Sequence, residues 1–209
     1  MTEETLHLTG RPTKAQMLQI TDAVLDAACD FFSAKGFAGA SMDEIADRAG
    51  ITKRTIYRRY PSKHALLDAV VEREILRFHQ WLNGAEPGQT AIEKLKNTAF
   101  RLFEYNTCSQ NTRFANFLSA EGSFSEDLRE KVIEWEDVAL APVISLIADA
   151  QKKKYLPATD TSELGYLLLD LINGGRQIRN FDRLMKGSTA TRKQFFDYRW
   201  KIFLNSTSS

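Results

Sequence analysis

Cysteine, proline and long apolar runs are all scarce in this 209-residue sequence, and each scarcity excludes a class of protein. The two cysteines, Cys29 and Cys108, are too few for a disulfide framework and lack metal-ligand spacing, so we expect reduced thiols in a cytoplasmic protein. Five prolines and 11 glycines exclude a collagen-like chain. The longest uncharged apolar run, at 138–148, has 11 residues, whereas a membrane-spanning helix needs about 20. We therefore expect no membrane partner, and nothing at the N-terminus resembles a secretory signal.

Charge of one sign is not in excess over the whole chain either. Lysine and arginine number 28, against 27 for aspartate and glutamate. Residues 48–63 nevertheless contain six basic residues and no acidic one. Such a patch is typical of nucleic-acid binding, although it is also compatible with an ordinary solvated helix face. The six are Arg48, Lys53, Arg54, Arg58, Arg59 and Lys63.

Apolar residues recur at helical spacing almost throughout, and no sustained two-residue alternation predicts a strand. The predicted fold class is therefore all-α. A polar stretch containing glycine and proline, at 83–89, predicts the boundary between two domains. We place an N-terminal domain of three packed helices at 14–82 and a larger helical domain at 83–209.

Two short helices in the N-terminal domain are predicted to form a helix-turn-helix. Ser41 and Glu44 have the spacing of a capping box at the start of the first, which Gly50 ends. Thr52 is the predicted N-cap of the second, which runs from residue 53 to 60, before Pro61. The second helix of such a motif enters the DNA major groove, which is about 12 Å wide.

The sequence from Phe37 to Leu67 resembles the N-terminal domain of TetR-family transcriptional regulators, over about residues 17–72. The family commonly has Phe at the position of Tyr60 and often His at that of Arg59, and both changes keep the chemical character. The resemblance implies a homodimer that usually represses transcription and often leaves DNA when a small molecule enters the C-terminal domain. The elements in register are the Gly36-Phe37 turn, the capped second helix, the Ala49-Gly50 turn, Thr55 with Tyr57, and the run Tyr60-Pro61-Ser62-Lys63.

The resemblance also implies which residues contact DNA. Five residues match family positions that contact bases or backbone, and Lys63 matches a phosphate-contacting lysine. We add Arg54 and Arg58, because an arginine that binds guanine through two hydrogen bonds gives about 1–3 kcal/mol of discrimination. The predicted set is Thr52, Lys53, Arg54, Thr55, Tyr57, Arg58, Arg59 and Lys63.

Two apolar stripes near the C-terminus match, in position, the last two helices of the family, which form the dimer interface. Packing within one subunit is the alternative explanation for the same stripes. A two-fold dimer would bind a palindromic operator, because its two recognition helices lie about 34–36 Å apart or a multiple of it. The predicted interface residues are Leu164, Leu168, Leu171, Gly175, Ile178, Phe196, Trp200 and Phe203.

A ligand cavity is predicted beside these stripes, from polar residues on the opposite face of one helix and from nearby aromatic residues. Pockets combine an apolar lining with a few orienting polar groups, but a polar stripe can equally face water and the aromatics can be core. The candidates are Phe103, Phe117, Trp135, Tyr166, Asp170, Asn173 and Gln177.

No motif in the sequence predicts catalysis, a cofactor or a metal. The three histidines, His7, His64 and His79, are scattered, and none follows a glutamate at the spacing of a di-iron bundle. No nucleophile elbow, phosphate-binding loop or dinucleotide fingerprint occurs. The sequence thus predicts a DNA-binding regulator that is not an enzyme. The alternative is an adaptor that binds proteins and keeps the helix-turn-helix shape without reading DNA.

Overall fold

The computed structural model of this chain describes residues 13–173, 184 and 186–207, and nine helices have both ends within these residues. Helices make up 84% of the structure, and no strand occurs among the described residues, which confirms the all-α prediction. The helices are α1 (Lys14–Gly39), α2 (Met42–Arg48), α3 (Lys53–Arg59), α4 (Lys63–Asn83), α5 (Ala91–Thr107), α6 (Ser109–Phe124), α7 (Glu126–Lys152), α8 (Thr161–Asn173) and α9 (Thr189–Ser206).

The helices form two compact units that do not follow chain order. Among the described residues, the first contains 13–74 together with 114–132, and the second contains 75–113, 133–173, 184 and 186–207. Helices α4, α6 and α7 each contribute residues to both units. The predicted boundary between residues 82 and 83 separates two independent domains, and it stays a prediction.

The first unit is organised around the buried face of α1. Val24, Ala28 and Phe32 are fully buried at helical spacing. The helix kinks at Gly36 and continues to Gly39. Gly36 has φ 73° and ψ 172°, a conformation that is open to glycine and strained for other residues.

The predicted capping box at the start of α2 is wrong in its partners. The Ser41 side chain accepts a hydrogen bond from the Asp43 amide at 3.3 Å, not from that of Glu44. The Glu44 carboxylate instead forms an ion pair with Lys35 of α1, with 2.9 Å between Nζ and Oε1. Because the ammonium group of Lys35 is within reach, the carboxylate turns to it rather than back to the helix start.

The second unit has an aromatic and aliphatic core built from α5, α7, α8 and α9. Phe103 of α5 is completely buried and stacks on Phe195 of α9, with ring centroids 5.7 Å apart. Burying a side chain of this size contributes about 1.5–3 kcal/mol. No helix of the described residues is long and apolar enough to cross a membrane. Other members of this core are Leu95, Leu102, Ile147, Leu168, Ile172, Phe196 and Phe203.

Candidate nucleic-acid interface

The turn between α2 and α3 is fixed by one glycine and one threonine. Gly50 has φ 67°, which lets the chain reverse after two turns of α2, and the Ile51 amide donates to the Ala46 carbonyl at 3.0 Å. The Thr52 side chain accepts from the Thr55 amide at 3.3 Å, so it is the N-cap that the sequence predicts. These local bonds start α3 immediately after the turn.

Helix α3 buries one side and exposes the other. Ile56 is fully buried and anchors the helix, together with Ile45 of α2, in the core of the first unit. The opposite side carries Arg54 and Arg58, which are exposed, and Tyr57, which is 47% exposed. This side is a short cationic and aromatic surface of the width that a major groove admits.

The basic residues of this surface differ in how they are bound. Lys53 forms an ion pair with Asp43 of α2, which raises the pKa of Lys53 through a hydrogen bond and the nearby negative charge. Among the described residues, Arg54 and Arg58 have neither an ion pair nor a hydrogen bond to a side chain. The two arginines are therefore free to bind an external acceptor, whereas Lys53 must first leave Asp43.

Arg59 and Lys63 are bound within the protein. Nη2 of Arg59 donates to Oγ1 of Thr21 on α1. Nζ of Lys63 donates to the carbonyl oxygens of Ala38 at 3.2 Å and Ala40 at 3.0 Å. An ammonium group has three donors, so Lys63 keeps one for a phosphate. The predicted phosphate contacts of both residues stay predictions.

Tyr60 is a core residue, with 8% of its surface exposed. Burial raises the pKa of its phenol, while the neighbouring guanidinium of Arg59 lowers it. The exposed aromatic residue of α3 is therefore Tyr57.

The predicted interface residues of α8 and α9 point into their own subunit. Leu168, Phe196 and Phe203 are almost completely buried in the core of the second unit. Leu164 and Trp200 are also buried, and Leu171 is partly buried against the same core. Their burial agrees with packing within one subunit, but a helical stripe records burial without recording which chain covers it, so the predicted dimer interface stays a prediction. Gly175 and Ile178 lie outside the described residues.

The predicted ligand residues are not brought together by the structure. Phe117 lies in the first unit, whereas Phe103 fills the core of the second. Trp135 is half-buried and Asp170 is exposed. Gln177 lies outside the described residues.

The remaining two polar candidates are held by neighbours. The Tyr166 hydroxyl donates to Oδ1 of Asp137 at 3.4 Å, and the negative charge of Asp137 raises the pKa of Tyr166. Oδ1 of Asn173 accepts a hydrogen bond from the side-chain amide nitrogen of Asn106 at 2.7 Å. Neither side chain is directed by these bonds toward a shared cavity.

A groove of about 410 Å³ lies elsewhere in the second unit, between α5, the α4–α5 loop and the start of α9. Phe100 and Phe196 form its apolar part. Nζ of Lys96 and Oδ1 of Asp197 form an ion pair of 2.8 Å within its lining. Its volume is in the range of small-molecule sites. The charged residues of the lining are Glu86, Lys96, Arg101, Glu104, Lys193 and Asp197.

Sequence reasoning did not find two of the residues that organise this region. Asp43, which no sequence pattern singled out, forms an ion pair with Lys53. Glu121 accepts a hydrogen bond from the Phe37 amide, 84 residues away in sequence. No local pattern signals such a contact.

In the part of the chain that the structure describes, no group of three or more His, Cys, Asp or Glu side chains could hold a metal ion.

Sequence comparison relates this interface to known regulators. The profile of the family described as bacterial regulatory proteins, tetR family, matches residues 24–70. The HTH-type transcriptional regulator UidR of Escherichia coli K12 is 28% identical over 156 residues, which cover 72% of this chain and 76% of UidR. The HTH-type transcriptional regulator RutR of the same organism is 40% identical over 82 residues, or 39% of this chain and 37% of RutR.

Solved structures share the fold over most of the chain. GusR of Salmonella enterica aligns with a TM-score of 0.72 at 19% identity, over 95% of this chain and 99% of GusR. The flavonoid-responsive regulator FrrA aligns with a TM-score of 0.73 at 23% identity, over 90% and 96% of the two chains. At these identities the similarity concerns the fold.

Proposed function

Because this chain belongs to the TetR family of DNA-binding transcriptional regulators, we propose that it is a repressor that binds a palindromic operator as a homodimer. A small molecule bound in the C-terminal part releases it from DNA. The observation that carries the proposal is the exposed side of α3, where Arg54 and Arg58 stand free of intramolecular ion pairs within the described residues.

The two arginines are the residues that read the operator. They are four positions apart, so they lie on one face of α3. Each guanidinium can bind O6 and N7 of a guanine at once. Thr52, Lys53, Thr55 and Tyr57 lie at the leading end of α3 or on its exposed side and contact bases or backbone next to them. Arg59 and Lys63 hold the helix in place and contribute to phosphate binding.

The homodimer forms through the exposed sides of α8 and α9. Leu167 is 37% exposed on α8, and Tyr198 and Ile202 are 66% and 37% exposed one turn apart on α9. Exposed apolar residues on helices that pack together form the kind of surface that a partner subunit covers. A Leu167→Glu or Ile202→Glu substitution should therefore shift sedimentation from dimer to monomer, whereas Tyr155→Glu, at an exposed residue beyond α7, should not.

The effector site is the groove between α5 and α9. The partly exposed ring of Phe100 suits an apolar group, and the three basic and three acidic side chains of the lining suit a molecule with charged or polar ends. Such a ligand can release DNA only by binding the DNA-incompetent state more tightly than the competent one. A typical coupling is about 1–3 kcal/mol, which corresponds to roughly 5- to 150-fold in affinity.

Selection from a random pool of DNA duplexes tests the proposal. A repressor of this kind should enrich a palindrome and bind it with a Kd of about 10⁻⁸ M or lower, with steep dependence on salt. The double variant Arg54→Ala/Arg58→Ala is the matched control and should enrich nothing. Failure of the unaltered protein to enrich any sequence would refute DNA reading and favour the adaptor that binds proteins.

A further inference from the structure

The segment 114–132, from the end of α6 and the start of α7, packs in the same unit as the helix-turn-helix. The ring of Phe117 stacks on that of Phe32 in α1, with centroids 5.8 Å apart. Nζ of Lys131 pairs with Oδ1 of Asp68 in α4 at 2.9 Å. The segment is therefore in position to act on the DNA-binding helices directly.

Glu121 of this segment binds the backbone of the kink in α1. The Phe37 amide donates to Oε1 of Glu121 at 2.8 Å, directly after Gly36 leaves the helical conformation. The first amides of a helical turn have no intrahelical acceptor, and here a carboxylate from another helix supplies one. A Cβ on Gly36 would lie 2.9 Å from the same oxygen, so the carboxylate fits against the bare glycine.

The kink that Glu121 holds also binds the helices of the motif. Nζ of Lys63, at the start of α4, donates to the carbonyls of Ala38 and Ala40 and lies 4.8 Å from the ring centroid of Phe37. Ser41, the N-cap of α2, follows immediately. The turn at 36–40 thus joins α1, α4 and α6 at the point where the helix-turn-helix begins.

We propose that Glu121 is a positioning residue for DNA binding, because its carboxylate holds the Phe37 amide and so fixes the turn from which α2 and α3 are oriented. The residue contacts no DNA itself. The inference rests on the proposed operator binding, and it assigns a role in that binding to a part of the chain outside the helix-turn-helix.

The sign of the effect separates this role from simple electrostatics. Removal of an acidic residue reduces the repulsion of phosphates and by charge alone strengthens DNA binding. Loss of the Glu121 contact should instead weaken it. Glu130→Ala is the matched charge control, since Glu130 is exposed on the same segment and has no ion pair or side-chain hydrogen bond among the described residues.

The experiment compares E121A, E121Q, E121D and E130A by operator affinity and by amide hydrogen exchange of the free protein. We expect E121A to bind the operator about fivefold more weakly or worse, at the lower end of typical couplings, and to lose protection at the Phe37 amide. E121Q keeps an acceptor oxygen and should restore both properties. E130A should bind as tightly as the unaltered protein or more tightly. E121D keeps the charge but shortens the side chain, so it should behave like E121A and replaces it if E121A does not fold.

Operator binding by folded E121A and E121D as tight as that of the unaltered protein would overturn the proposal, as would unchanged protection at Phe37. These results do not contradict the proposed function, because the unaltered protein still binds its operator. If the unaltered protein selects no operator, the proposed function fails first and the role of Glu121 fails with it.

Discussion

Alanine at Arg54 or Arg58 should weaken operator binding and leave the fold unchanged. Both side chains are exposed, and in the described part of the chain neither has an ion pair or side-chain hydrogen bond to lose. Exposed substitutions of this kind change the free energy of unfolding by no more than about 0.5 kcal/mol. A lost bidentate contact with guanine costs about 1–3 kcal/mol, or roughly 5- to 150-fold in discrimination between the operator and a duplex altered at that base.

Arg59→Ala is the internal comparison because the guanidinium of Arg59 donates to Thr21. A hydrogen bond from a charged group contributes about 1.5–3 kcal/mol when buried, and we take about 1 kcal/mol here because Arg59 is partly exposed. In a chain of this size that loss lowers the Tm by about 2–4 °C. Arg54→Ala and Arg58→Ala should therefore change affinity without changing stability, whereas Arg59→Ala should lower stability and, through its proposed phosphate contact, weaken binding to the operator and to unrelated duplexes equally.

Fluorescence anisotropy with the selected operator, and with duplexes altered at single guanines, measures the first effect. Thermal unfolding followed by circular dichroism measures the second. Unchanged operator affinity in both Arg54→Ala and Arg58→Ala would show that α3 does not read the sequence. Equal weakening on the operator and on unrelated duplexes would show that the two arginines bind phosphates only.

Four further substitutions test the local chemistry. Gly50→Ala should lower the free energy of unfolding, measured by chemical denaturation, by about 1–2 kcal/mol, because alanine is strained at φ 67° even where no atom lies near its Cβ. Gly36→Ala should lower it further, because its Cβ would also lie 2.9 Å from a carboxylate oxygen. Asp43→Asn releases Lys53, so DNA binding measured by anisotropy should tighten, and unchanged binding would show that Lys53 contacts no phosphate. Burial raises the pKa of Cys29 from 9.0 to about 12, so above pH 9 the unfolded thiol ionises first, and the free energy of unfolding should fall with pH more in the unaltered protein than in Cys29→Ala.

The features predicted correctly from the sequence are those that depend on near neighbours in the chain. A cap such as Thr52 needs only an amide three residues later, and the all-α fold needs only helical spacing of apolar residues. The capping partner of Ser41 was wrong because Glu44 has a competitor in Lys35, on a different helix. The bond between Glu121 and Phe37 depends on packing of elements far apart in sequence, which no local pattern encodes.

Periodicity also has a limit that the C-terminal helices illustrate. The stripe through Leu168 and Phe203 correctly marks buried residues, but the same spacing arises whether a subunit covers its own stripe or a partner does. The packing shows these residues buried within one chain, and whether a partner also covers the stripe stays a prediction. The dimer contact proposed above uses residues that are left exposed on those helices, such as Tyr198.

The dependence of operator affinity on salt tests how many basic residues of the patch are available to DNA. Three of the six have intramolecular partners, and the described structure shows no ion pair or side-chain hydrogen bond at Arg48, Arg54 or Arg58. If each free residue in both subunits neutralises one phosphate, the logarithm of the association constant falls with the logarithm of the salt concentration with a slope of about −5. If all six basic residues do so in both subunits, the slope is about −11. We expect a slope nearer the larger value, measured by anisotropy from 50 to 200 mM salt, because Lys53, Arg59 and Lys63 are proposed to contact the DNA as well. A slope close to the smaller value would mean that these three residues keep their intramolecular partners and neutralise no phosphate.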